Sequence, residues 1–286
     1  MKIAIFGMGL IGGSLGRAIL KFTDNEVLGC DIDASALQKA DLLEAETRPL
    51  DKEADLKSVD MVIFALYPKA TIKCMREVVP MLKDGAIVLD ACGNKRIIVE
   101  EMRALEKEYP SVFFVGCHPM AGREFSGISH SMATLFEKAY VVLVPVSQDI
   151  ARLSIVKNLF LQIGAQDVEI CTAEKHDEMI AYTSQLAHIV SSSYVKNGHS
   201  SEHAGFSAGS FRDLTRVAKL SPEMWSELFL ENADNLVGDI DEIIKHMQEY
   251  RDAIASGDEE RLKALLADGV KQKEAAETAR KNRLKD

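Results

Sequence analysis

Two kinds of apolar spacing divide the chain. Up to about residue 170, short and nearly unbroken apolar runs alternate with helical patterns: KIAIF (2–6), EVLGCD (26–31), DMVIFAL (60–66), AIVLD (86–90), VFFVG (112–116) and YVVLVPV (140–146). A strand apolar at nearly every position, rather than at every second one, belongs in a sheet covered on both faces, as parallel sheets are. DVEI (167–170), behind a helical pattern at 150–163, reads as a last strand. Strand–helix–strand repetition at this spacing predicts a doubly wound parallel α/β sheet. From about residue 172 the apolar positions recur at intervals of three and four instead. Ile180, Ala187, Val190 and Tyr194 form one stripe, and Leu236, Ile240, Ile243, Ile244, Met247 and Ile254 another. ASGDEE (255–260) is a break, with a fresh helix start at Asp258 ahead of Leu262, Leu265, Leu266 and Val270. The pattern predicts an α/β domain over 1–172 and an all-helical domain over 173–286, whose stripes bury against a second copy as a homodimer.

The first strand runs into IFGMGLIGGSLG (5–16), and the glycines there have separate physical uses. Gly7, Gly9 and Gly12 make G-x-G-x-x-G between a strand and a helix, the context in which that pattern binds a dinucleotide. Gly7 suits the tight turn, Gly9 lets a pyrophosphate approach the backbone, and Gly12 lets helix and strand pack closely. Leu10 and Ile11 then lie in the first helical turn, where free N–H groups and a partial positive charge face the phosphates. The second strand ends at Asp31, about 20 residues beyond Gly12, where an acid hydrogen-bonds the adenosine ribose. Ile32 and Asp33 follow, with no Arg or Lys to receive a 2′-phosphate, so NAD is favoured over NADP. This is a Rossmann-type signature.

Net charge is −10 over 286 residues, which argues against a nucleic-acid footprint. KQKEAAETARKNRLKD (271–286) is locally basic, six Lys/Arg against three acids, and reads as a solvated helix face. Five cysteines, an odd number without C-x-x-C spacing, fit free thiols in a reducing cytosol better than disulfides. The N-terminal apolar run is too short for a signal peptide, and no run approaches the roughly 20 residues of a membrane span. The expectation is a cytoplasmic protein with no membrane or nucleic-acid partner and no metal site.

The second informative stretch is VFFVGCHPMAGREFSG (112–127). It places His118 just past the carboxyl end of a strand that stops at Gly116, the edge where open parallel sheets bind ligands. Pro119 biases His118 towards an extended backbone. A histidine beside a nicotinamide is a natural acceptor for a hydroxyl proton, because its ordinary pKa lies near working pH.

GCHPMAGREFSG (116–127), TSQLAHIV (183–190) and AGSFRDLTRVAKLSPEMWSELFLEN (208–232), behind the glycine motif, resemble the prephenate dehydrogenase family, which includes the arogenate enzymes. The resemblance covers nearly the whole chain. It implies NAD-dependent oxidative decarboxylation of prephenate to 4-hydroxyphenylpyruvate, on the route to tyrosine. It also implies that His118 takes the proton of the ring hydroxyl and that Arg216 binds a substrate carboxylate. Glu124 then matches an acid at the substrate entrance and His188 a pocket histidine. A planar guanidinium suits a carboxylate bidentately, so Arg216 fits a dianionic substrate. The plainer reading of FRDLTR is an Asp213–Arg216 helix pair, and Asp213 could orient Arg216 as well. From spacing alone, His188 reads equally as a satisfied core histidine, and Trp225 as ordinary packing. His130, His176, His199, His203 and His246 have no comparable context.

Two departures stand out. Many family members carry Asp-x-Gly-Ser-x-Lys after the fourth strand, where the serine helps orient the catalytic histidine; here DACGNK (90–95) puts Gly93 in that place, leaving Cys92, Asn94 or a water as substitutes. The family's His-x-x-His appears as Gln185-x-x-His188. The expectation is a chain without the tyrosine-sensing domain that some members carry behind the helical domain. Arogenate dehydrogenase is the near alternative. More distant ones are a β-hydroxyacid dehydrogenase, which would use a lysine of its helical domain, and a non-catalytic dinucleotide-binding regulator.

Overall fold

A computed structural model describes residues 1–283. Of the basic C-terminal stretch, Leu284, Lys285 and Asp286 lie outside the described residues. Eight strands form one sheet in the order β3-β2-β1-β4-β5-β6-β7-β8. They are β1 (Lys2–Phe6), β2 (Glu26–Cys30), β3 (Arg48–Pro49), β4 (Met61–Phe64), β5 (Ile87–Asp90), β6 (Phe113–Pro119), β7 (Tyr140–Pro145) and β8 (Asp167–Ile170). Between them run α1 (Leu10–Phe22), α2 (Ala34–Leu42), α3 (Lys52–Asp55), α4 (Pro68–Val78), α5 (Arg96–Glu108) and α6 (Ile150–Gln162).

The unbroken apolar runs have the reason expected of them. Successive side chains of a strand point to opposite faces. Ile3 and Ile5 of β1 join a core with Leu15, Ile19 and Phe160 on one face, while Ala4 and Phe6 join Phe64, Met75, Ile98 and Phe114 on the other. In one respect the sheet differs from the expected parallel one. β7 runs antiparallel to β6, and β8 is parallel to β7. This changes the position of His118. The parallel pairing of β5 with β6 ends at Leu89 and Val115, but β7 carries β6 on through His118 and Pro119, with His118 opposite Val142. His118 is therefore on a strand and not beyond it, although it still projects past the carboxyl end of β5.

After β8 the described residues are helical: α7 (Ala173–Ile180), a π-helical stretch (Ala181–Leu186), α8 (Ala187–Tyr194), α9 (Gly209–Thr215), α10 (Pro222–Glu231), α11 (Ala233–Ser256) and α12 (Glu259–Arg283). Asp258 accepts from the Arg261 N–H at the start of α12, as the sequence break predicts. By compactness the chain forms two units, Met1–Asn235 and Leu236–Asp286, dividing later than the change of apolar spacing near 172. Polar side chains explain why α7 to α10 group with the sheet. The Asn94 amide donates to the Leu228 carbonyl, and Lys95 and Arg96 donate their backbone N–H groups to Asp177.

The chain leaves β1 towards β2 on one side and later enters β4 on the other, so the β1–β4 border is the topological switch point of the sheet. The glycine turn lies there. Gly7 has φ +95°, and a Cβ on it would stand 2.4 Å from the Ala65 carbonyl oxygen beyond β4. A Cβ on Gly12 would stand 1.8 Å from the Gly7 carbonyl oxygen, so α1 can lie this close to the turn only without a side chain. Gly12→Ala is expected to destabilise the protein by about 1–3 kcal/mol through this overpacking. The check is the urea midpoint of unfolding, which should fall; an unchanged midpoint would contradict the packing described.

Candidate active site

The cradle at the switch point is built from backbone. Gly9 is the N-cap of α1, has no side chain to cap it, and faces open space: a Cβ there would meet nothing within 4 Å. The first intrahelical bond runs from Gly13 N–H to the Gly9 carbonyl, so the N–H groups of Leu10, Ile11 and Gly12 have no partner further back in the helix. Asp31 closes the turn from the side. One of its oxygens accepts the Met8 N–H at 2.7 Å and the other the Asp33 N–H at 2.9 Å. Ile32 is fully exposed and Asp33 caps α2, so the expected acids flank the place of a 2′-substituent. Unoccupied space, unpaired N–H donors and a positive helix end together fit a pyrophosphate.

Past the carboxyl end of β5, the His118 imidazole is held from behind. Its Nδ1 lies 2.9 Å from Nε2 of His176 on α7, and Nδ1 of His176 lies 2.7 Å from Oδ1 of Asp177. Asp177 also accepts the backbone N–H groups of Lys95 at 2.7 Å and Arg96 at 2.9 Å, which open α5. The Arg96 side chain adds a fourth donor through Nε. Burial tends to raise the Asp177 carboxyl, but these hydrogen bonds outweigh it and hold it below the usual carboxylate range. The His118 pKa is lowered too, which for a histidine favours the neutral form. Burial first, then the neighbouring His176 and Lys95, hold its pKa well below the ordinary value. His176 is lowered too, chiefly by burial, despite its contact with Asp177.

Under this pair lies a buried ion pair. Lys95 and Asp90 are both 0% exposed, and the Lys95 ammonium donates to Oδ2 of Asp90. Asp90 also accepts the N–H groups of Cys92 and Cys117, fastening the end of β5 to the residue just before His118. Asp90 and Lys95 are the ends of the DACGNK stretch, though spacing assigns them no role, and neither His176 nor Asp177 is legible in the sequence as a site residue. The signal, if any, was the adjacent His-Asp pair opening a helix after the last strand.

A second cluster gathers the remaining expected residues. Arg216, the C-cap of α9, donates to the Glu124 carboxylate, and the pair is largely exposed. His188 donates from Nδ1 to the Val217 carbonyl at 3.0 Å, and its ring lies 4.0 Å from that of Trp225. Burial first, then Arg216, lowers the His188 pKa. Thr183, Ser184, His188, Asp213 and Arg216 line one hollow. The Asp213–Arg216 pair expected from FRDLTR does not form; Asp213 lies beside Arg212 instead. No hydrogen bond or ring contact joins His118 to this cluster. The positions suggested for support of His118 are also engaged elsewhere. Cys92 meets Thr71 and the Leu66 carbonyl, while Asn94 meets the Leu228 carbonyl and Glu231. Gln185, in place of the first family histidine, joins Asn94 and Asn232.

A glycine turn at the switch point of a Rossmann-type sheet, followed by a helical segment, is the architecture of a nucleotide-binding dehydrogenase. Two family models match in sequence, "Prephenate dehydrogenase, nucleotide-binding domain" over residues 15–169 and "Prephenate dehydrogenase, dimerization domain" over 172–268. The prephenate dehydrogenase of Lactococcus lactis is 32% identical over 285 residues, covering 96% of this chain and 77% of that protein. The cyclohexadienyl dehydrogenase of Zymomonas mobilis is 30% identical over 292 residues, covering 96% of each. A crystal structure of prephenate dehydrogenase from A. aeolicus, in complex with hydroxyphenyl propionate and NAD+, aligns with a TM-score of 0.83 at 27% identity, over 96% of this chain and 98% of that one. The chain belongs to the prephenate dehydrogenase family. Among the described residues, no helix is long and apolar enough to cross a membrane.

The lowered pKa of His118 has a direct check. As pH falls from 8 through 6.5, its ring resonances should stay those of a neutral imidazole, because protonation is pushed to lower pH. A titration midpoint at or above about 6.5 would contradict the environment described.

Proposed function

We propose that this protein catalyses the NAD-dependent oxidative decarboxylation of prephenate to 4-hydroxyphenylpyruvate, with His118 as the general base. The observation that carries the reading is the placement of the His118 imidazole past the carboxyl end of β5, on the edge where such sheets bind their ligands, in surroundings that lower its pKa. Gly7, Gly9, Leu10, Ile11 and Gly12 hold the pyrophosphate, and Asp31 accepts from the adenosine ribose hydroxyls. A bound nicotinamide supplies the hydride acceptor.

His118 takes the proton of the ring C4 hydroxyl as that carbon is oxidised to the carbonyl level. The electron pair of the bond to the ring carboxylate then flows through the ring to the C4 oxygen, carbon dioxide leaves, and that oxygen takes a proton back from His118 to give the aromatic phenol. A base that is neutral at pH 7 needs no prior proton loss, and its catalysis contributes roughly 10²–10⁴ in rate. Arg216 receives a substrate carboxylate in place of, or together with, Glu124, with which it pairs here. His188, facing the same hollow as Arg216, lines the substrate pocket. The α/β part over 1–172 serves the dinucleotide, and 173–286 serves substrate and dimerisation. Homodimer formation is supported by exposed apolar residues on the last helices, among them Met247, Ile254, Leu266 and Val270.

NADH appearance at 340 nm (a routine absorbance), with NAD and prephenate or arogenate, tests the reaction and its substrate. Turnover is expected with prephenate; turnover with neither would overturn the proposal. His118→Asn should keep NAD binding and lose about 10²–10⁴ in kcat, and wild-type turnover would remove the base. Arg216→Ala should raise KM for prephenate far more than it lowers kcat; an unchanged KM would take Arg216 out of the carboxylate site.

A further inference from the structure

The stretch that carries an orienting serine in many relatives carries Gly93 here, and the space is not vacant. A Cβ on Gly93 would stand 3.3 Å from the Leu228 side chain. Its neighbours Cys92 and Asn94 are committed to other partners. Yet a general base on one nitrogen needs its other nitrogen anchored, or the ring turns and the proton chooses either site. The hydrogen bonds supply that anchor from a different element, at the start of α7.

We infer that His176 and Asp177 are the positioning residues of this enzyme, fixing the His118 tautomer in which Nε2 carries the lone pair. The inference rests on the reading of His118 as the base. Donors and acceptors permit one assignment once Asp177 is ionised and His176 is neutral. A carboxylate only accepts, so Nδ1 of His176 carries a proton and donates it to Oδ1 of Asp177. In a neutral His176 the proton is then absent from Nε2, which must accept. His118 therefore carries its proton on Nδ1 and donates it to His176. What remains is Nε2 of His118, unprotonated and without a hydrogen-bond partner among the described residues, open to the hydroxyl of a substrate.

Asp177 is suited to head this chain because it cannot drift. It takes two backbone N–H groups at the positive end of α5, the Arg96 guanidinium and the His176 ring. Lys95, Asp90 and Asp177 are the charged groups around the two imidazoles, and the first two neutralise each other in a buried pair. When His118 takes a proton, the new cation donates to a neutral ring backed by a fixed carboxylate. The charge needs no water to stabilise it. No proton passes to Asp177 in this scheme; the dyad orients and stabilises, and His118 alone meets the substrate.

The test has two parts. In nitrogen NMR of the wild-type protein, with His118→Asn used to assign the signal, His118 should show a protonated Nδ1 and an unprotonated Nε2. The reverse assignment overturns the inference. His176→Phe keeps an aromatic ring of similar size but offers no acceptor. Its kcat with prephenate should fall about 10- to 100-fold, while KM for prephenate and the Kd for NAD stay within about twofold, a split that loss of structure would not give. Unchanged kcat, or a loss carried by KM and the Kd for NAD, overturns the inference. Should His176→Phe not fold, the wild-type spectrum decides alone. An inactive His118→Asn beside a fully active His176→Phe would refute the dyad and leave the base standing, whereas an active His118→Asn would refute the base itself.

Discussion

The site depends on one buried ion pair, Asp90 with Lys95. Neither group reaches solvent, and a lone charge at this depth costs several kcal/mol, so the partners cannot separate without disrupting what surrounds them. Each is also tied into the chain elsewhere. Asp90 takes the N–H of Cys117, next to His118, and Lys95 gives its backbone N–H to Asp177, next to His176. Removing one partner of such a pair typically costs about 3–5 kcal/mol. The pair thus sets the ends of β5 and β6, the start of α5 and the start of α7 in fixed relation.

That rigid corner separates the behaviour of two titratable groups a few residues apart in space. Asp177 sits among hydrogen-bond donors and stays ionised, whereas His118 sits where burial and a neighbouring cation disfavour its charge. Divergent environments of this kind divide labour between a fixed charge and a neutral acceptor of protons. At the glycine turn, the cradle of Gly9 suits an anion with no charged side chain at all, through unpaired N–H groups of α1. An acidic protein can hold a pyrophosphate in this way without a basic patch.

The sequence made local features readable and distant ones unreadable, for physical reasons. Gly7, Gly9, Gly12 and Asp31 are set by a short turn and the strand beside it, so spacing alone points to the cradle. The apolar runs mark the strands because both faces are covered, but an unbroken run does not encode direction, and the antiparallel β7 that extends β6 through His118 stayed hidden. His176 carries no signal in the sequence because its partner lies 58 residues earlier, with no periodicity linking them. Arg216 reaches Glu124, 92 residues away, instead of the nearby Asp213 for the same reason: the chain brings them together and the helix repeat does not. The break at Asp258 is legible because a single local cap sets it.

The central claim is that one nitrogen of His118 faces the alcohol to be oxidised. The most direct measurement is a crystal structure of this protein with NAD and a 4-hydroxyphenyl product analogue bound together. The account predicts Nε2 of His118 within hydrogen-bonding reach, about 2.6–3.2 Å, of the analogue's hydroxyl oxygen, with Nδ1 still on His176. An analogue seated with its hydroxyl on another side chain, and the His118 ring facing away from it, would contradict the account.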